Sequence, residues 1–159
     1  KYLATAIIGI VSSVIGLILT IISLVVATNS FDSFKDINFS FSSSAIILSL
    51  IVVILASLFI AGLSILVTCR TKSFKEAQSI SSVLSFVTII PMMVSLMEIV
   101  VNEVYYFIPI LNYTQILMDI FSGISSVGNI IIVIMSSIVY IGIVIYLVIK
   151  IQKQEEVLF

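Results

Sequence analysis

Four long stretches without a charged residue constrain the fold of this chain more than any other feature. They cover residues 2–30, 37–69, 77–97 and 120–149. About 20 helical residues cross the roughly 30 Å hydrocarbon core of a bilayer. Backbone groups in lipid need internal partners, so only helices or closed barrels cross it. Barrel strands are about 10 residues long and alternate apolar with polar side chains, unlike these runs. The pattern predicts transmembrane helices at about 3–27, 44–69, 80–101 and 127–150.

Composition supports this class and excludes others. Hydrophobic residues make up 61% of the chain and charged residues 9%, against roughly 25% charged residues in a soluble domain. The net charge of −1 gives no basic surface for nucleic acid. Histidine, the commonest general base, is absent, and Cys69 is a single cysteine that we interpret as a buried structural thiol. We therefore predict an all-α polytopic membrane protein, with residues 1–159 forming a single transmembrane domain.

The distribution of Lys and Arg predicts the orientation. In a four-span arrangement six of the seven basic residues fall on one side, and Lys35 alone falls on the other. Basic residues are enriched in cytoplasmic loops. Both ends and the loop at 70–78 are therefore predicted to be cytoplasmic, and the segments at 28–43 and 102–126 face outward. The chain opens directly into an apolar run without an initiator Met, so we expect it to be a piece of a larger protein.

The segment from 104 to 123 is too apolar for an aqueous loop and too interrupted for a fifth crossing. Pro109 disfavours a helix at the residue before it. Asn112 is a candidate N-cap and Gly123 a candidate helix end. In the helix between them, apolar side chains occupy one face, while Asp119 lies on the polar face with Gln115. We predict a short re-entrant helix that dips into the outer leaflet before the last span.

Three stretches resemble permease subunits of type-2 ABC exporters, and most closely the NatB-type sodium-efflux permeases. They are RTKSFKEAQ at 70–78, YYFIPILN at 105–112 continuing to DIFSG at 119–123, and QEEVLF at 154–159. The resemblance implies the last four spans of a six-span permease, with short outward re-entrant helices before the final span. It implies that ATP and Mg²⁺ bind to separate cytoplasmic ATPase subunits, so that the chain itself is not an enzyme. It also implies a second permease half or a homodimer.

Several residues are candidates for a role in transport, each with a plainer interpretation. Glu98 is a candidate cation or substrate contact, although Glu103 nearby favours a solvated position at the outer interface. Pro91 is either a gating hinge or a static bend. The charged loop of Arg70, Lys72, Lys75 and Glu76 either contacts the ATPase or only fixes topology. The small residues Ser12, Ser13, Gly16, Ser136, Ser137 and Gly142 fit close helix packing, or a polar stripe along a pathway.

The sequence leaves several functions open. The first is export, of sodium ions or alternatively of a lipid-like compound or a peptide antibiotic, as the resemblance implies. The second is a four-span structural or partner-binding membrane protein without transport. The third, an intramembrane protease, needs paired acidic or His residues within the membrane, and Glu98 has no such partner in its span.

Overall fold

Every regular element that the computed structural model describes is helical. It describes residues 2–30, 42–69, 71, 73–96 and 103–156. A 3₁₀ turn at Glu103–Phe107 precedes the short fourth helix. The helices are α1 Tyr2–Ser30, α2 Ser43–Thr68, α3 Phe74–Leu96, α4 Leu111–Phe121 and α5 Val127–Glu156.

Three helices are long and apolar enough to cross a membrane. They are α1 over Tyr2–Val26, α2 over Ser43–Thr68 and α5 over Val127–Ile151. Large aliphatic side chains cover their outer surfaces, such as Ile8, which is 67% exposed. Such a surface suits hydrocarbon rather than water. The all-helical prediction is confirmed, and these three helices agree with the predicted spans at 3–27, 44–69 and 127–150. The described part of α3 has a lower hydropathy and is not one of these candidate spans, so a fourth crossing stays a prediction.

Helix α2 is the centre of the bundle. It packs extensively against α1 on one side and α5 on the other, and it also contacts α3 and α4. Gly62 allows the close approach of α5, because a Cβ there would collide with Cγ1 of Val144 and lie 3.4 Å from the Tyr2 ring. Small residues let transmembrane backbones approach in this way. The core of the bundle therefore lies along α2, with α1 as an outer helix that contacts α2 alone among the described elements.

Serine residues define where three of the long helices begin. The Ser42 hydroxyl accepts a hydrogen bond from the backbone N–H of Ala45 at 3.2 Å and caps α2. Ser73 caps α3 through the N–H of Glu76 at 3.3 Å, and Ser126 caps α5 through the N–H of Asn129 at 3.1 Å. Each serine accepts from the third residue after it, the geometry that favours Ser at helix N-termini. The charged sequence at 70–76 therefore leads directly into α3, six residues earlier than predicted.

Both ends of α4 are formed by residues with positive φ. Ile110 has φ 76° and ψ −50° and precedes the first residue of the helix. Gly123 has φ 72°, and the N–H of Ile124 bonds to the Asp119 carbonyl at 3.0 Å, as in a Schellman motif. The prediction that Gly123 ends this helix is confirmed. The prediction that Asn112 caps it is wrong, because the helix begins one residue earlier and its N-terminus has no side-chain cap.

Candidate functional site

A buried carboxylate forms the centre of the most polar contact in the described structure. Asp119 on α4 is 4% exposed. Its Oδ2 accepts a hydrogen bond from the Tyr106 hydroxyl at 2.5 Å, and its Oδ1 accepts one from Gln115 Nε2 at 2.9 Å. Asp119 shares a helix face with Gln115, as predicted, and the burial of its carboxylate is a finding of the structure. The carboxylate can be buried because each of its oxygens has a donor, which offsets part of the desolvation penalty.

The tyrosine in this contact keeps its hydroxyl proton and therefore remains a hydrogen-bond donor. Tyr106 lies in the 3₁₀ turn and is 7% exposed. Burial, followed by the hydrogen bond to and the charge of Asp119, raises the pKa of Tyr106 to about 12. A separation of 2.5 Å is typical of an O–H that donates to an ionised oxygen. At neutral pH Tyr106 therefore keeps its proton and donates it to Asp119.

Two further contacts attach the 3₁₀ turn to α5. The Tyr140 hydroxyl donates to the carbonyl of Phe107 at 2.5 Å. The Ser136 hydroxyl lies 3.5 Å from the carbonyl of Tyr106 and 3.1 Å from the carbonyl of Val133 in its own helix. The turn thus presents its backbone to α5, and the Tyr106 side chain contacts Asp119 on α4 as well as Asn129 on α5. This bridging position links Asp119 to the last long helix.

Two buried polar atoms of α4 have no hydrogen-bond partner among the described residues. They are Oδ1 of Asn112, a residue that is fully buried, and the hydroxyl of Tyr113, which is 4% exposed. The Asn112 amide nitrogen donates to Ser136 Oγ at 3.3 Å, so turning the amide over would leave the nitrogen unpaired instead. Ser137 neighbours Tyr113, but its hydroxyl donates to Val133, and no hydrogen bond of acceptable geometry joins the two. Each unpaired group costs roughly 1–3 kcal/mol.

A groove of about 330 Å³ runs between α1 and α2 on the other side of the bundle. Small and hydroxyl-bearing residues line much of it, including Thr5, Gly9, Ala61 and Ser64. At its floor the hydroxyls of Ser13 and Ser57 are 2.5 Å apart and join the two helices. For Ser13 this contact supports the packing interpretation over a polar stripe.

The structure separates the residues that the sequence singled out. Pro91 is a buried residue inside α3, which continues through it. Lys75 and Glu76 lie exposed in the first turn of α3. Glu98, Arg70 and Lys72 fall outside the described residues, and so do the last three residues of the terminal motif, 157–159. Pro109, Asn112, Asp119 and Gly123 lie within or beside α4, and the re-entrant position of this helix stays a prediction.

Sequence reasoning missed the two donors to Asp119. Gln115 was detectable, because residues four apart share a helix face and an amide can reach a carboxylate at that spacing. Tyr106 gave no local signal, since it is 13 residues away in a turn whose docking is a tertiary event. Among the described residues no three His, Cys, Asp or Glu side chains form a group that could hold a metal ion.

Comparisons with known proteins add no family to this geometry. No protein-family model, no curated protein and no solved structure matches the chain.

Proposed function

We propose that this chain is a membrane-spanning permease subunit of an ATP-driven ABC exporter. In this proposal α1, α2, α3 and α5 cross the bilayer, and α4 is a short re-entrant helix on the outer side. The observation that carries it is α4 itself, a docked helix with a buried carboxylate at one end of a bundle of long apolar helices. Irregular backbone at membrane depth is tolerated where protein covers it, and it is a feature of transport proteins.

The path of the chain supports a crossing by α3. Helix α2 ends at Thr68, whereas α4 lies near its start, because Ile120 and Gly123 line one pocket with Ser42 and Ala45. The chain therefore returns along the bundle between Thr68 and the 3₁₀ turn, and α3 is the long element in between. Its 23 residues extend about 35 Å, which matches the hydrocarbon thickness.

The polar side chains of α3 are compatible with lipid. Its hydroxyls bond to carbonyls within the same helix, at distances between 2.7 and 3.1 Å: Ser81, Ser82, Ser85 and Thr88. A hydroxyl that is satisfied inside its own helix carries little penalty in an apolar environment. The low hydropathy of the described part of α3 comes largely from its charged first turn, which would lie at the membrane surface.

The charged loop before α3 is the proposed contact with the energy source. Lys75 and Glu76 are exposed there, at the end of the bundle opposite α4. The excess of Lys and Arg supports a cytoplasmic position for this end and for both chain ends. Cytoplasmic ABC ATPase subunits would bind ATP and Mg²⁺ and dock there. A second permease half or a second copy would complete the pathway, for sodium ions or for a lipid-like or peptide substrate.

A second candidate function is that of a partner-binding membrane protein without transport. The groove between α1 and α2 favours it, since small residues such as Gly9 and Ala61 form surfaces on which another transmembrane helix packs. Transport is preferred because a pure packing scaffold has no need for a buried carboxylate at one end.

Site-specific photo-crosslinking tests the proposal in native membranes. A crosslinker at Lys75 should capture a protein with a Walker phosphate-binding sequence, identified by mass spectrometry. The matched control carries the crosslinker at Ile124, which is also exposed, at 74%, but lies beside α4. Capture of the ATPase from position 75 alone supports the exporter. Absence of any nucleotide-binding protein from both positions, and from the intact complex purified in mild detergent, would favour the scaffold.

A further inference from the structure

Some contacts of α4 stabilise its docked position, and others destabilise it. Ile116 is fully buried and Ile120 is 2% exposed, so the apolar side of the helix is well docked. Asp119 adds two hydrogen bonds on the same face. Against these contacts stand the unpaired Asn112 Oδ1 and Tyr113 hydroxyl, which this docked position leaves without partners.

The two ends of α4 are the second observation. Ile110 is a β-branched residue with φ 76°, a region that such residues rarely adopt. Gly123 at the other end has φ 72°, which glycine adopts without strain. Between these two residues the helix is regular, and at both of them the chain direction changes. A rotation at Ile110 and Gly123 would relieve the strain at the first. It would cost the bond from the Asn112 N–H to the Ile108 carbonyl (2.9 Å) and the bond from the Ile124 N–H to the Asp119 carbonyl (3.0 Å), while the hydrogen bonds inside the helix remain.

We propose that α4 is a hinged element, and that the contact of Tyr106 and Gln115 with Asp119 is the latch that holds it closed. In the closed position the latch offsets the strain at Ile110 and the burial of two unpaired polar atoms. When α4 swings away from α2 and α5, the Asn112 carbonyl and the Tyr113 hydroxyl gain partners from solvent, and the latch is lost. The inference concerns α4 alone, so it stands or falls independently of whether the chain belongs to an exporter.

The latch and the unpaired atoms predict opposite effects for one chemical change. Tyr106→Phe removes a hydroxyl that donates to a buried carboxylate, so the closed position is weakened. Tyr113→Phe removes a hydroxyl that has no partner, so the closed position is strengthened. The two substitutions delete the same atom from the same residue type, seven positions apart. A change in global stability would carry the same two signs, so a reporter elsewhere in the bundle is needed to assign the effect to α4.

The opening is measured through a cysteine on the buried face of α4. Ile116→Cys in a Cys69→Ala background is reacted with N-ethylmaleimide in lipid nanodiscs, and the labelling rate is followed by mass spectrometry. Val144→Cys, which is buried where α5 meets Gly62, is the control reporter for the rest of the bundle. Tyr106→Phe should accelerate labelling at position 116 roughly tenfold, the ratio expected for losing a hydrogen bond to a charged group. Tyr113→Phe should slow it roughly three- to tenfold.

The labelling rates distinguish a hinged α4 from global loosening and from a fixed helix. Opposite shifts at position 116, with the rate at position 144 unchanged, support the hinge. Shifts in the same direction for both substitutions overturn it, and so do equal changes at both reporters, which indicate global loosening. Complete protection of position 116 in every variant, while an exposed Ile124→Cys labels fully, also overturns it, because α4 would then be fixed.

Discussion

At the scale of single residues, the Tyr106 hydroxyl and the Asp119 carboxylate depend on each other. The phenol is the donor for one carboxylate oxygen, and the carboxylate is one reason why the pKa of Tyr106 is raised. Removing either partner leaves the other buried without this hydrogen bond. Such pairs have larger effects on stability when one member is lost than when both are replaced.

Alkaline pH should weaken this contact in a defined window. Because the folded-state pKa of Tyr106 is raised from 10.0 to about 12, the folded state holds a proton that the unfolded state releases. The contribution to stability is complete below pH 10 and is lost as pH rises toward 12. The expected loss in the free energy of unfolding is about 1–3 kcal/mol.

The measurement is the denaturation of detergent-solubilised protein between pH 8 and pH 12 for the wild type and Tyr106→Phe. Other tyrosines and the lysines titrate in both proteins, so the difference between the two profiles isolates Tyr106. The difference should shrink above pH 10. A difference that stays constant across the window would mean that Tyr106 does not titrate with a raised pKa.

The sequence could identify Asp119 and Gly123 as members of one short helix, but it could not predict how they are buried. Gly123 was predictable because a helix end with positive φ favours glycine over every other residue. The burial of Asp119 was not, because it depends on a donor from a turn 13 residues earlier. The start of the helix was also missed, since Ile110 adopts a conformation that its residue type disfavours.

At the scale of helices, the contact between α2 and α5 depends on a missing side chain. Val144 lies over Gly62 so closely that any Cβ there requires the Val144 side chain or one of the helices to shift. Gly16, by contrast, has nothing within 4 Å of where its Cβ would lie. The two glycines therefore differ in role although both lie inside long apolar helices, and the sequence alone did not single out Gly62.

Gly62→Ala should destabilise the bundle by about 1–3 kcal/mol because of overpacking. Gly16→Ala is the matched control and should be neutral or stabilising by up to about 1 kcal/mol, since alanine favours the helix. Thermal denaturation in detergent measures both. Adding Val144→Ala to Gly62→Ala should recover part of the loss, and strictly additive effects in that double-mutant cycle would mean that the contact does not limit packing.

At the scale of the whole molecule, hydropathy predicted the long helices well because hydrocarbon imposes a minimum length on any crossing helix. It predicted α1, α2 and α5 almost to the residue at their starts. Helix α3 is the exception, because its hydroxyl groups and charged first turn lower its hydropathy, and it is not among the three candidate spans of the described residues. The proposal that it crosses the membrane rests on the path of the chain, for which the packing of α4 against the start of α2 is the observation.

The central claim is that four helices cross the membrane, with the charged loop and α4 on opposite sides. It is tested by finding the side of the membrane on which three exposed positions lie. Single cysteines at Lys75, Ile124 and Lys153, in a Cys69→Ala background, are labelled with an impermeant maleimide in intact cells and in inverted vesicles. The account predicts labelling of position 124 from outside only, and of positions 75 and 153 from inside only. Labelling of positions 75 and 124 from the same side would leave α3 outside the membrane, place the two chain ends on opposite sides and contradict the exporter architecture.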